Sequence, residues 1–204
     1  MFVSRLTRCD VLSSGRFEFL NYCGDEEMDK PQGIIVFGPN GSGKTTLGRE
    51  LARILNFKHM DIEDYYFEKS EIPYTIERSH EDCLNLMLAD IEKYRSFIIT
   101  ALTGEFGDTI PMFYNLAVYM TAPKELRVKR VKQRAYKHHG ERVCEGGDMY
   151  EDYLKFVNAV SSCSLSRIEQ WMKTLSCPVI RIDGAEDWRV NAEIIAERFY
   201  NETL

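Results

Sequence analysis

The sequence predicts an α/β fold, a five-stranded, mostly parallel sheet with helices on both faces. Three observations lead there. Short apolar runs of strand length alternate with segments whose apolar residues recur at helical spacing. Strands that alternate with helices are joined by crossovers, which makes the sheet parallel. And a glycine-rich octet, Gly38-Pro-Asn-Gly-Ser-Gly-Lys-Thr45, stands where the first strand hands over to the first helix.

Taken in order, Gly33 to Phe37 is a continuous apolar run, as expected of a strand covered on both faces. Thr45 to Leu55 carries Leu47, Leu51, Ile54 and Leu55 on one helical face. Phe57 to Ile62 is a weaker strand. His80 to Tyr94 is a helix with Leu84, Met87, Leu88 and Ile91 facing inward. Ser96 to Leu102 and Leu116 to Thr121 are buried strands. Lys124 to Tyr136 is a basic helix entered after Pro123. Met149 to Leu175 reads as one long helix or a pair, Pro178 to Ile182 as the last strand, and Val190 to Tyr200 as the last helix. Two stretches fall outside the alternation. Lys137 to Asp148 is polar and glycine-containing, and is expected to be a mobile loop. Residues 1–27 read either as a β-hairpin (Val3 to Leu12 and Arg16 to Tyr22 around Ser-Ser-Gly) or as residues ahead of a start at Met28. Residues 28–204 are expected to form a single domain.

With 204 residues, 44% apolar and 28% charged, the chain has the composition of an ordinary globular protein. Its net charge of −6 argues against general nucleic-acid binding, which needs surplus Lys and Arg. The six cysteines form no C-x-x-C pair and have no histidines at zinc spacing, so free thiols are expected. No stretch approaches the ~20 apolar residues that span a bilayer, and the first ten residues lack an apolar signal core. A cytoplasmic protein without a membrane partner is the expectation.

The octet meets G-x-x-x-x-G-K-[ST] through Gly38, Gly43, Lys44 and Thr45. Glycines let successive backbone N–H groups turn toward phosphate oxygens. The helix that follows points its positive end at the same oxygens. Pro39, Asn40, Gly41, Ser42 and Thr46 complete the expected nucleotide-binding stretch. Lys44 is expected on the β- and γ-phosphates and the Thr45 hydroxyl on Mg²⁺, with ATP as the nucleotide. No N-K-x-D segment of a switch GTPase is present, and no strand runs into the Asp-Glu of a motor or remodelling ATPase.

Together these residues resemble the P-loop kinases of the nucleoside-monophosphate and shikimate kinase group (adenylate-kinase-like), over roughly residues 31 to 200. The resemblance implies a three-layer P-loop fold with a lid, and transfer of the γ-phosphoryl group of ATP to a small hydroxyl or phosphate acceptor. It also implies a role for the acidic cluster after the second strand. Asp61 is the first choice for the metal and Asp64 for the acceptor, with Glu63 beside them; an acidic cap on a following helix is the other reading. Residues 72–92 resemble the group's acceptor-binding segment, with Arg78 as the clamp on an acidic acceptor. Thr103-Gly104 replaces the glycine pair of shikimate kinases. Arg127, Arg130 and Arg134 share one helical face leading into the lid, residues 134–150, and Arg130 and Arg134 are expected to stabilise the transferred group. Arg142 is a possible further phosphate contact in that lid. Trp171 and Trp188 are expected to be packing residues. The rival readings are a nucleotide-gated binding or regulatory protein and a simple ATPase.

Overall fold

The computed structural model describes residues 30–70 and 76–203. The stretch 1–27, read as hairpin or upstream residues, lies outside the described residues, as do residues 72–75 of the expected acceptor segment. Five parallel strands, β1 (Gln32–Phe37), β2 (Lys58–Asp61), β3 (Ser96–Ala101), β4 (Tyr114–Thr121) and β5 (Val179–Asp183), form one sheet in the order β2-β3-β1-β4-β5. Seven α-helices accompany them among the described residues: α1 (Lys44–Leu55), α2 (Ile62–Tyr66), α3 (His80–Tyr94), α4 (Lys124–His139), α5 (Tyr150–Ser162), α6 (Ser166–Met172) and α7 (Trp188–Thr203). None of the helices is long and apolar enough to cross a membrane.

The pleat of β1 explains the three layers. Ile34 and Val36 point to one face and meet Leu47 and Leu51 of α1 and Ile195 and Phe199 of α7. Ile35 and Phe37 point to the other and meet Met87 and Ile91 of α3 and Ile168 and Trp171 of α6. A strand with buried neighbours on both sides reads as a solid apolar run, because alternation has no polar face to expose. Gly48 lets α1 sit flush on the sheet: a β-carbon there would collide with Thr100 of β3. A small third cluster, Val131 with Val157 and Val160, joins α4 to α5.

β1 lies at the centre, with β3 on one side and β4 on the other. The chain leaves β1 to build β2 and β3, then crosses over to build β4 and β5. At such a reversal the connections diverge, which opens a crevice beyond the carboxyl ends of the strands.

The structure corrects the sequence reading in two places and decides between its alternatives in a third. The expected mobile loop over 137–148 is largely regular: α4 runs on to His139 and a 3₁₀ turn covers Gly140–Val143. Nothing before Gly140 breaks the helix, and the basic residues Lys137, His138 and His139 suit its negative end. Arg142, offered as a possible phosphate contact, forks onto Asp148 at 2.7 and 3.0 Å in an exposed ion pair. The segment 149–175 is a pair, broken between Ser162 and Ser166. And α2 was not foreseen, because five residues are too few to show a helical period.

Candidate active site

The crevice holds a cavity of about 500 Å³. Its floor is the octet. Gly38, Gly41 and Gly43 all take positive φ, and Gly43 caps α1 with φ 110°. An L-residue at Gly43 would be strained, and a β-carbon on Gly38 would strike the Met120 carbonyl of β4. The turn therefore lies directly against the sheet, with the N-terminus of α1 open to the cavity. Lys44, Thr45 and Thr46 line it, together with Asn40, Gly41 and Gly43. Lys44 Nζ donates to the Pro39 carbonyl at 3.0 Å, folding its side chain back over the turn. Desolvation in the cradle lowers Lys44 to about 8, against the opposing pull of Glu63 and Asp61.

Asp61 closes β2 and begins α2. Its carboxylate accepts from the Glu63 N–H at 3.3 Å, so it does cap the next helix, yet it also lines the cavity and is buried. Glu63 lines the cavity as well. Asp64 does not: one residue further round α2, it is exposed and is not among the lining residues. A loop would have left the choice between the two acids open, whereas a helix separates them. Thr100, at the end of β3, forms the back wall and shares a hydrogen bond of 3.2 Å with His59 Nε2. Burial lowers the His59 pKa.

The three arginines of α4 separate in the same way. Arg130 and Arg134 line the cavity. Arg130 Nη1 donates to the Ser42 carbonyl at 3.2 Å and to the Gly184 carbonyl at 2.8 Å, tying the octet to the turn after β5. Arg127 is buried away from the cavity, its Nε on the Ala122 carbonyl and its own carbonyl pressed against Gly41. Arg78 also lies elsewhere. Its Nη1 donates to the carbonyls of Asp64, Tyr65 and Phe67, where α2 ends.

Several cavity residues went unrecognised in the sequence, Thr100, Met120 and Trp188 among them. Trp188, read as packing, stands half-buried on the wall beside Gly184 and Glu186, with the Arg189 guanidinium 4.0 Å from its ring centroid. Trp171 does pack, edge-on to Phe37 at 4.8 Å. A tryptophan that begins a helix immediately after a strand–turn looks the same in sequence whether its ring turns inward or outward.

A divalent ion fits the donors present. The Thr45 hydroxyl and the Asp61 carboxylate are hard oxygen ligands on one cavity, and they adjoin a backbone cradle that a β-carbon would fill. Among the described residues no three or more of His, Cys, Asp and Glu gather into a metal cage. Most of the shell of an ion here would come from phosphate and water, as Mg²⁺ prefers.

Residues 34–154, more than half of the chain, match the family described as the AAA domain. The chain belongs to that family. It is 28% identical over 169 residues to the uncharacterized protein YqaC of Bacillus subtilis, covering 79% of this chain and 92% of that one. It is also 28% identical over 116 residues to the shikimate kinase of Acinetobacter baylyi, covering 52% of this chain and 64% of the relative. The chain thus spans a little under two thirds of that kinase. Among solved structures, a shikimate kinase from Acinetobacter baumannii in complex with shikimate aligns with TM-score 0.50 and 18% identity, over 85% of this chain and 95% of that one. These likenesses place the fold among the P-loop kinases.

Two measurements check this geometry. Phosphate charge beside Lys44 favours its cationic form, so ATP binding at pH 8.5 should take up a large fraction of a proton. At pH 7, where a lysine with a pKa of about 8 is already charged, uptake at this site should nearly vanish. Calorimetry in buffers of different ionisation enthalpy reads the difference, and equal uptake at both pH values contradicts it. ATP should also change the intrinsic fluorescence saturably. Trp188→Phe should remove most of that change, leaving only the buried Trp171.

Proposed function

We propose that this protein transfers the γ-phosphoryl group of ATP·Mg²⁺ to a small hydroxyl or phosphate acceptor. The observation that carries the reading is that one cavity combines a helix N-terminus with its lysine, two arginines, and the carboxylates of Asp61, Glu63 and Glu186. Water activation alone needs no second recess beside the carboxylates, and one is present.

Each group has a part in this scheme. The backbone N–H groups of the octet and Lys44 hold the β- and γ-phosphates. Thr45 and Asp61 would hold Mg²⁺, which supplies neutralisation of phosphate charge. Arg134, at the exposed rim of α4, swings its charge over the transferred group. Arg130 keeps the octet and the turn after β5 in register, so that the donor is held in line with the acceptor. Glu63, rather than Asp64, orients the acceptor hydroxyl and receives its proton. Residues 134–150 serve as the lid, closing over the nucleotide so that water is excluded. The donor, and the absence of a disulfide among the described cysteines Cys83, Cys144, Cys163 and Cys177, suit a cytoplasmic setting.

ADP release from Mg·ATP, with and without nucleosides, nucleoside monophosphates and hydroxy acids, tests the reading. One acceptor should raise turnover well above background. Glu63→Gln should then lower kcat about 10²-fold or more, as loss of a positioned base does, while Asp64→Asn stays within roughly threefold of wild type. A larger loss at Asp64 than at Glu63 would return the role to Asp64. Turnover indifferent to every acceptor would end the kinase reading.

A further inference from the structure

Next to the main cavity is a second recess of about 190 Å³, and the two share Ile62, Glu63, Ala101 and Leu102 on their walls. The lining that the main cavity does not share is largely aromatic: Tyr66, Phe67 and Phe106. Glu63, Thr103 and the hydroxyl-bearing Tyr66 are the side chains with polar groups on its wall, and no Lys, Arg or His lines it among the described residues. Phe106 is firmly seated, being buried in the core beneath β3.

Two arginines on segments that adjoin the recess are committed elsewhere. Arg167 pairs with Glu105, the chain neighbour of Phe106, at 2.8 Å. Arg78 Nη1 donates to three chain carbonyls at the end of α2, those of Asp64, Tyr65 and Phe67. Backbone pairing holds it there: Arg78 N–H donates to the Tyr66 carbonyl at 2.8 Å, Glu68 N–H to the Ile76 carbonyl at 2.8 Å, and Phe67 bridges Glu77. Moving the guanidinium toward a ligand would strip these carbonyls of their donor, which costs more than the net worth of an ordinary hydrogen bond. The segment Glu71-Ile-Pro-Tyr-Thr75 adds no basic residue. Lys44, Arg130 and Arg134 belong to α1 and α4, and have the phosphates to neutralise.

An acceptor with a carboxylate or phosphate on its body would set that charge against aromatic rings, beside Glu63 and with no Lys, Arg or His among the described lining residues. Burying an unpaired anion in this way is expensive. A flat, uncharged ring meets none of that cost and gains the area it buries against Tyr66, Phe67 and Phe106.

We propose that the recess binds a neutral compound with a planar aromatic body carrying a hydroxyl, such as a nucleoside or an aromatic alcohol, and excludes nucleoside monophosphates and sugar acids. This rests on the kinase reading for its chemistry and on the recess alone for its binding. In the reaction the acceptor oxygen forms a bond to the γ-phosphorus as the bond from that phosphorus to the β,γ-bridging oxygen breaks. ADP leaves with the bridging oxygen, and the acceptor proton passes to Glu63 and then to water.

The test is saturation-transfer NMR and calorimetry on the full chain, with a non-hydrolysable ATP analogue and Mg²⁺ present. The probes are cytidine, adenosine, thymidine, their 5′-monophosphates, pyridoxine and shikimate, and ADP release is measured in parallel with ATP. A neutral probe should bind at least tenfold more tightly than its monophosphate or than shikimate. Cytidine, adenosine or thymidine leading identifies the source as a nucleoside, and pyridoxine leading as an aromatic alcohol. Leu102→Arg, at a position 38% exposed on both walls, places the missing counter-charge and should shift the monophosphate-to-nucleoside ratio of Kd at least tenfold toward the monophosphate. Circular dichroism confirms that the variant is folded. A monophosphate or shikimate that binds as well as the neutral probes overturns the inference, and its phosphorylation would leave the kinase reading standing. No binding by any probe also overturns the inference. A neutral compound that binds without turnover upholds it and removes the kinase reading instead.

Discussion

The turn between β1 and α1 has to present its backbone N–H groups to the cavity while its other side is packed against protein with no space to spare. Glycine at Gly38, Gly41 and Gly184 is required by neighbouring carbonyls: those of Met120, Arg127 and Ser42 occupy the space a β-carbon would take. Arg130 adds its hydrogen bonds to Ser42 and Gly184, so the octet is clasped to the start of α4 and to the turn after β5. A cradle held this way loses little freedom when phosphates arrive, which is what makes positioning effective. The rest of the sheet serves that requirement: β1 must be central, and both of its faces must be covered, for the turn to sit at a reversal of strand order.

Charge is sorted around that cradle. Cationic groups gather on α1 and α4 and two of the three cavity carboxylates at the junction of β2 and α2, while the third, Glu186, stands beside Trp188. The phosphates of a nucleotide belong with the first group. The second group can attract a metal or a hydroxyl proton, but it repels an anionic acceptor. The aromatic recess behind Glu63 follows the same division.

Much of this was legible in the residues. Gly33 to Phe37 announced a strand covered on both faces because it lacks any polar alternation, and the octet located the phosphate end of the site. What escaped the sequence were choices made by geometry at the scale of one residue. Asp61, Glu63 and Asp64 are equivalent as a string, and only the short helix α2 decides that Glu63 meets the cavity while Asp64 faces out. Arg127, Arg130 and Arg134 share a helical face, yet that face runs from buried packing at Arg127 to the rim at Arg134. Arg78 had the look of an anion clamp, but carbonyls at a helix end compete for a guanidinium as well as a substrate does.

The most direct measurement is phosphorus NMR of Mg·ATP incubated with the protein and a mixture of nucleosides, nucleoside monophosphates and hydroxy acids. Phosphoryl transfer predicts a new organic phosphate resonance that grows in step with ADP and disappears when the acceptors are omitted. Growth of inorganic phosphate alone, at a rate the acceptors do not change, would mean that water takes the group and that the cavity does not serve as a kinase site.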